Sequence, residues 1–191
     1  METQSTKSLK MFNIELELQN PTESTSLPTL SEIKTWCETA IHSKSYDRVF
    51  EGTLSILIRV VGNDESAELN QQYRDKNGPT NVLSFPNDMT EIMGKMPPAE
   101  VLVTNLAEEL QAANSHLCDL VICEPLVEKE ALDQSKPLIS HWAHLIIHGV
   151  LHLQGFDHIT DDEALEMENL EIQLLGKLGF DNPYTTMLIK T

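Results

Sequence analysis

The sequence lacks the marks of an oxidised, secreted chain. Its three cysteines, Cys37, Cys118 and Cys123, are odd in number and form no CxxC pair, which argues against a disulfide framework and against a cysteine-rich zinc site. A reducing cytoplasm is the expected location, with each thiol serving as a small apolar residue rather than as a nucleophile. The opening residues, METQSTKSLKMF, hold neither the apolar core nor the small-residue cleavage site of a secretory signal. No apolar run approaches the ~20 residues needed to cross a bilayer, so no membrane partner is expected. Internal repeats and low-complexity segments are missing as well.

Positive charge is the other shortage. Thirteen lysines and arginines stand against thirty acidic residues, a formal net charge of -17. Affinity for nucleic acid usually rests on a basic surface that releases counterions, so broad, charge-driven binding to DNA or RNA is disfavoured and no DNA partner is expected. A local basic patch remains compatible with an acidic whole.

What is present fits one domain with a sizeable core in 191 residues. Residues 1–10 read as a polar extension and 11–191 as a single domain. An inserted loop or lid falls at 87–117, where periodicity is weak and Pro97-Pro98 breaks the pattern, with a short helix at 106–113. Phe12, Ile14, Leu16 and Leu18 alternate with polar residues, the period of a half-buried strand. Further strands are predicted at 54–61, 80–85 and 119–123, the last closed by Glu124-Pro125. Thr29 and Glu32 form a capping box for a helix with Ile33, Trp36, Cys37, Ala40 and Ile41 on one face. A helix at 64–75 takes Gly78-Pro79 as its stop. A core helix at 138–153 lines up Leu138, Trp142, Leu145, Ile146, Gly149 and Leu153, with Gly155 as its left-handed cap. A second capping box, Thr160 with Glu163, opens a final helix that turns Ala164, Met167, Leu170 and Leu174 inward.

The chemistry concentrates in the histidines, five of the seven lying between positions 141 and 158. His148 and His152 are four apart on the core helix, so both imidazoles project from one side and can share one metal ion. Gly155 reverses the chain, and His158 completes three nitrogen ligands with a fourth position open. One zinc ion fits such a set, and it can acidify water toward neutral pH and polarise a carbonyl or phosphoryl oxygen. The spacing HxxxHxxGxxH also occurs in a class of zinc proteases, but Gly149 stands where those enzymes place a glutamate base. A closed structural zinc is the competing account, without a nearby cysteine to supply a fourth ligand. His144, one turn before His148, either lines the site or is a solvated helical residue. His141 reads as a bland residue, and Asp157 either orients a ligand imidazole or caps the turn.

The run His148-Gly149-Val150-Leu151-His152-Leu153-Gln154-Gly155-Phe156-Asp157-His158 resembles the signature of the YbeY family, bacterial metal-dependent endoribonucleases linked to ribosomal RNA maturation. Two further segments agree: Tyr73-Arg74 through Pro79-Thr80-Asn81-Val82-Leu83-Ser84-Phe85-Pro86, and Asp119-Leu120-Val121-Ile122-Cys123. The resemblance spans roughly 54–179. It implies an α+β fold in which a small central mixed sheet of about four strands packs with helices, the metal site lying at the end of a core helix. It also implies zinc on His148, His152 and His158 and action on ribosomal RNA, with the small ribosomal subunit or its proteins as partners. The chain departs from the family at Phe156, where tyrosine is usual, and in a longer stretch between Pro86 and Asp119.

The resemblance also implies a functional arginine at Arg74, whose guanidinium fork can hold a phosphate bidentately beside Lys76. The other account of Arg74 is a cation favoured by a helix C-terminus. Thr80, Asn81 and Ser84 are explained by turn and strand-edge hydrogen bonding. The leading expectation is therefore a zinc-dependent endoribonuclease with Arg74, His148, His152 and His158 as its catalytic set. The alternatives are a metallopeptidase or amidase, and a ribosome-associated assembly factor with a mainly structural zinc.

Overall fold

The computed structural model describes residues 13–43, 53–86, 115–154, 156 and 158–185, with nothing described of the side chains of 115–118. The expected N-terminal extension, Phe12, the insertion over 87–114 with its short helix, Gly155 and Asp157 lie outside the described residues. Four strands and five helices follow one another within them: β1 (Asn13–Gln19), α1 (Leu30–Ile41), β2 (Thr53–Val61), α2 (Asn63–Arg74), β3 (Val82–Pro86), β4 (Ser115–Cys123), α3 (Glu124–Asp133), α4 (Leu138–Leu153) and α5 (Asp161–Lys177). The molecule is an α+β domain with one mixed sheet in the order β1-β2-β4-β3. β1, β2 and β4 run parallel, and β3 closes the edge antiparallel to β4.

Strand alternation decides which helices cover which face. In β2, Leu54, Ile56, Ile58 and Val60 enter the main core with Leu120 and Ile122 of β4 and with residues of α1, α4 and α5. Val61, Leu83, Val121 and Cys123 build a smaller cluster on the opposite face, under Leu69 of α2 and Leu126 of α3. Covering the sheet on both sides is what parallel strands require, because their crossover connections return over the faces.

Both predicted capping boxes are present. Thr29 Oγ1 accepts from Glu32 N at 3.3 Å while Glu32 takes the Thr29 N–H at 2.8 Å; Thr160 and Glu163 repeat the exchange at 3.3 and 3.0 Å. α2 ends within one residue of the predicted 64–75, where Asp75 takes the left-handed conformation at φ 54 and caps the helix. Asn70 Nδ2 then donates to Gly78 O at 2.8 Å and folds the 75–81 loop back onto α2.

α3 is an element the sequence pattern hides. Glu124-Pro125 reads as the end of a strand, yet proline in the first helical turn has no N–H to lose there and its φ is already helical. One dipeptide thus ends β4 and starts α3.

α4 is the centre of the molecule. From His141 to Leu153 its side chains are buried except at every fourth position, His144, His148 and His152, which are half-buried. The helix is core on three sides and site on the fourth. No helix among the described residues is long and apolar enough to cross a membrane.

Candidate metal centre

His148, His152 and His158 each offer a ring nitrogen within 4.8 Å of the others, a set able to hold one metal ion. α4 supplies the first two from successive turns. His158 arrives from the segment between α4 and α5 and is exposed. The spacing argument therefore brings together the three side chains it names.

The partners of the far nitrogens test whether this set suits a metal. His148 Nδ1 donates to Glu171 Oε1 at 2.8 Å, and His152 Nδ1 donates to the Phe156 carbonyl at 3.0 Å. In the neutral imidazole, each bond puts the proton on Nδ1 and the lone pair on Nε2, the nitrogen that faces the neighbouring ring. The two Nε2 atoms face each other at 3.1 Å. That separation suits two imidazole nitrogens turned onto one cation. The donor set fits a divalent metal with imidazole preference.

Glu171 is the functional residue that sequence reasoning misses. It is fully buried on α5 and accepts His144 Nε2–H at 2.9 Å as well as the His148 bond, with the Tyr184 hydroxyl as a third donor. Its signal was present: a carboxylate occupies the inward stripe between Met167 and Leu174, where an unpaired charge is prohibitively costly. His144 is thereby placed as a residue that shares the orienting carboxylate. His141 is buried and donates to Glu130 Oε2 at 2.9 Å, which makes it more than the bland residue expected.

Phe156 is half-buried, its ring packed against the main core. The backbone carbonyl, not the ring, serves the site, so the missing phenol costs His152 no support.

Gly149 explains the absent glutamate. A Cβ there would lie 2.9 Å from Leu120 Cδ2 and 3.3 Å from Ser84 Oγ, and the Ser84 hydroxyl donates to the Gly149 carbonyl at 3.3 Å. Leu120 and Ser84 are paired across β4 and β3, so position 149 is pressed onto the sheet and has no room for a base. Thr80 and Asn81 keep their structural bonds: Thr80 N and O both engage the Ser66 hydroxyl, and Asn81 Oδ1 accepts from Val82 N.

Two cavities meet at the histidines, sharing Asn81, Val82, His148 and His158. One, of about 640 Å³, is lined by His152, Arg74 and Lys76 and, among the described residues, by no carboxylate. Arg74 ends α2, where its charge also suits the helix dipole. The other, of about 660 Å³, is lined by Glu130, His141, His144, Glu171 and Tyr184. Cys37 and Cys123 are buried free thiols away from both, and burial pushes Cys37 up to about 12, which leaves it chemically inert.

The comparisons with known proteins point to one family. The family model described as Endoribonuclease YbeY matches residues 17–179. A curated protein of Colwellia psychrerythraea strain 34H, named Endoribonuclease YbeY, is 46% identical over 171 residues, covering 88% of this chain and 96% of its own. A solution structure of TM1509 from Thermotoga maritima aligns with 92% of this chain and 99% of its own at 18% identity and a TM-score of 0.46, a likeness too distant to carry an inference. With the matched span reaching from the first strand past the last helix, the chain belongs to the YbeY family.

Proposed function

We propose that the chain is a zinc-dependent endoribonuclease that cleaves ribosomal RNA during small-subunit maturation and ribosome quality control. His148, His152 and His158 are its metal ligands and Arg74 its phosphate cation. One observation carries this reading: the three-histidine set and the Arg74–Lys76 pair line a single cavity, to which no carboxylate among the described residues contributes. In a chain of net charge -17, that cavity is a local exception where a phosphodiester is welcome. The name of the Colwellia relative supports the reaction class. The ribosomal target, the small subunit as partner and the cytoplasmic location rest on the family resemblance and the cysteine pattern.

A bound divalent ion supplies Lewis acidity, polarising a phosphoryl oxygen and lowering the proton affinity of water. The protein's own work is positional. Glu171 and the Phe156 carbonyl lock the proton of two ligand imidazoles on Nδ1, so the ligand geometry exists before substrate arrives. Arg74 offers a planar fork to the non-bridging oxygens and balances charge that builds up as the bond breaks. Gly149 leaves the peptidase base without a place, which favours a phosphodiester over a peptide.

The test is to load the purified chain with zinc, incubate it with structured ribosomal RNA, and compare wild type with Arg74→Ala and His152→Ala. The expected result is metal-dependent cleavage that falls at least tenfold in Arg74→Ala and to background in His152→Ala. End analysis separates direct hydrolysis, which leaves a 5'-phosphate, from attack by the 2'-hydroxyl, which leaves a 2',3'-cyclic phosphate. Cleavage by wild type no greater than by His152→Ala removes the nuclease reading. Unfolding of His152→Ala with processing intact in Arg74→Ala favours an assembly factor instead.

A further inference from the structure

The two cavities on either side of the histidines are sorted by charge, and this sorting extends the endoribonuclease reading, on which the following rests. Among the described residues, the charged side chains lining the Arg74 side are Arg74 and Lys76 with the histidines, whereas the other side carries Glu130, Asp133, Glu168 and Glu171 against one lysine, Lys136. A phosphate is repelled from the second side. A nucleobase is not, because it is uncharged and its edge carries N–H donors.

Glu130 is held ready for such donors. His141, with its side chain only 4% exposed, donates to Oε2 at 2.9 Å, and Asn81 Nδ2 donates to the same oxygen at 3.1 Å and to Oε1 at 3.3 Å. These bonds fill Oε2 and leave lone-pair capacity on Oε1, and the side chain is 31% exposed toward its surroundings. The His141 hydrogen bond, opposed in part by burial, holds the Glu130 carboxyl below the usual carboxylate range, so it accepts at neutral pH. Tyr184, 42% exposed, adds an aromatic wall whose hydroxyl is already engaged with Glu171. Val82, Leu145 and Met167 supply apolar lining. The volume of about 660 Å³ lies within the ~300–1,000 Å³ typical of small-molecule sites.

We propose that this acidic cavity receives the nucleobase next to the scissile phosphate, with Tyr184 stacking on the base and Glu130 Oε1 accepting from the Watson–Crick edge of guanine. Guanine is favoured because its exocyclic amine can donate to the lone pair left on Oε1, and that flank of its N1–H carries no carbonyl oxygen. Uracil is disfavoured because its N3–H lies between two carbonyl oxygens that face the same carboxylate. Stacking on an aromatic ring and hydrogen bonding along the base edge is how single-stranded RNA is commonly read.

The experiment uses the zinc-loaded full chain and titrates guanosine, inosine and uridine 5'-monophosphates by calorimetry. Guanosine monophosphate binds about tenfold tighter than uridine monophosphate, the scale of one good base-edge contact, and inosine monophosphate falls between them. Glu130→Gln removes the guanine preference while melting close to wild type. Tyr184→Ala weakens all three nucleotides about tenfold, in keeping with a lost stacking surface, and Tyr184→Phe does not. Equal affinities in wild type, a preference that survives Glu130→Gln, or no binding at millimolar concentration overturns the proposal. RNA cleavage is scored separately: cleavage without base-selective binding sinks the pocket alone, and guanine-selective binding without cleavage sinks the nuclease reading alone.

Discussion

A fully buried carboxylate is tolerable only where donors saturate its oxygens, and Glu171 meets that condition through His144, His148 and Tyr184. Its removal therefore acts on the metal at one remove. Glu171→Gln offers one oxygen in place of two, so one imidazole loses its acceptor. Zinc affinity measured by chelator competition is expected to fall ~10–100-fold, the usual cost of a lost carboxylate behind a ligand histidine; an unchanged dissociation constant sinks the positioning role. The same residue predicts acid behaviour. Burial works to raise the Glu171 carboxyl, but the hydrogen bonds and charges of His144 and His148 outweigh it and bring it from 4.5 down to about 2. A carboxyl lowered on folding contributes stability above its unfolded value and loses it as pH falls through the folded one. Metal-free wild type should lose on the order of 3 kcal/mol between about pH 4.5 and 2, and Glu171→Gln should show a flatter acid limb in denaturant titrations. Parallel limbs count against this account.

Within elements, legibility follows the range of the interactions involved. The cluster of three histidines, both capping boxes and the α4 stripe can be read along the chain because each depends on residues within a few turns. Glu171 cannot be read as a partner of His148, because the bond joins residues 23 apart across two helices. α3 was hidden for a different reason: proline carries opposite meanings at a strand's end and in a helix's first turn, and only the chain beyond Pro125 decides between them. The order β1-β2-β4-β3 depends on long-range pairing that alternation alone does not encode. Gly149 shows the converse, a residue conspicuous in the motif whose reason lies in another element. Gly149→Glu should destabilise the fold by more than ~3 kcal/mol in urea unfolding, because the fully buried Leu120 has nowhere to retreat and the new carboxylate is buried without a donor. A stable Gly149→Glu protein would contradict the packing assigned here.

For the whole molecule, the candidate site is built onto a helix that the core holds on its other sides, so a metal bound there would be linked to the fold only weakly. Chelation is expected to lower the melting temperature by an amount that tracks free metal concentration over its dissociation constant, without abolishing the cooperative transition. Loss of the transition in the chelated protein would mark the metal as structural, as in small domains that fold only around zinc. The four-residue rhythm of α4 also has a consequence for substitution tolerance. Every side chain from His141 to Leu153 is committed either to the interior or to the stripe His144, His148 and His152. A saturation scan selected first for folding and then for metal retention should therefore divide this helix into two interleaved, non-overlapping sets. It leaves almost no position free to drift neutrally, and any variation that alters substrate choice must enter through the elements that surround it.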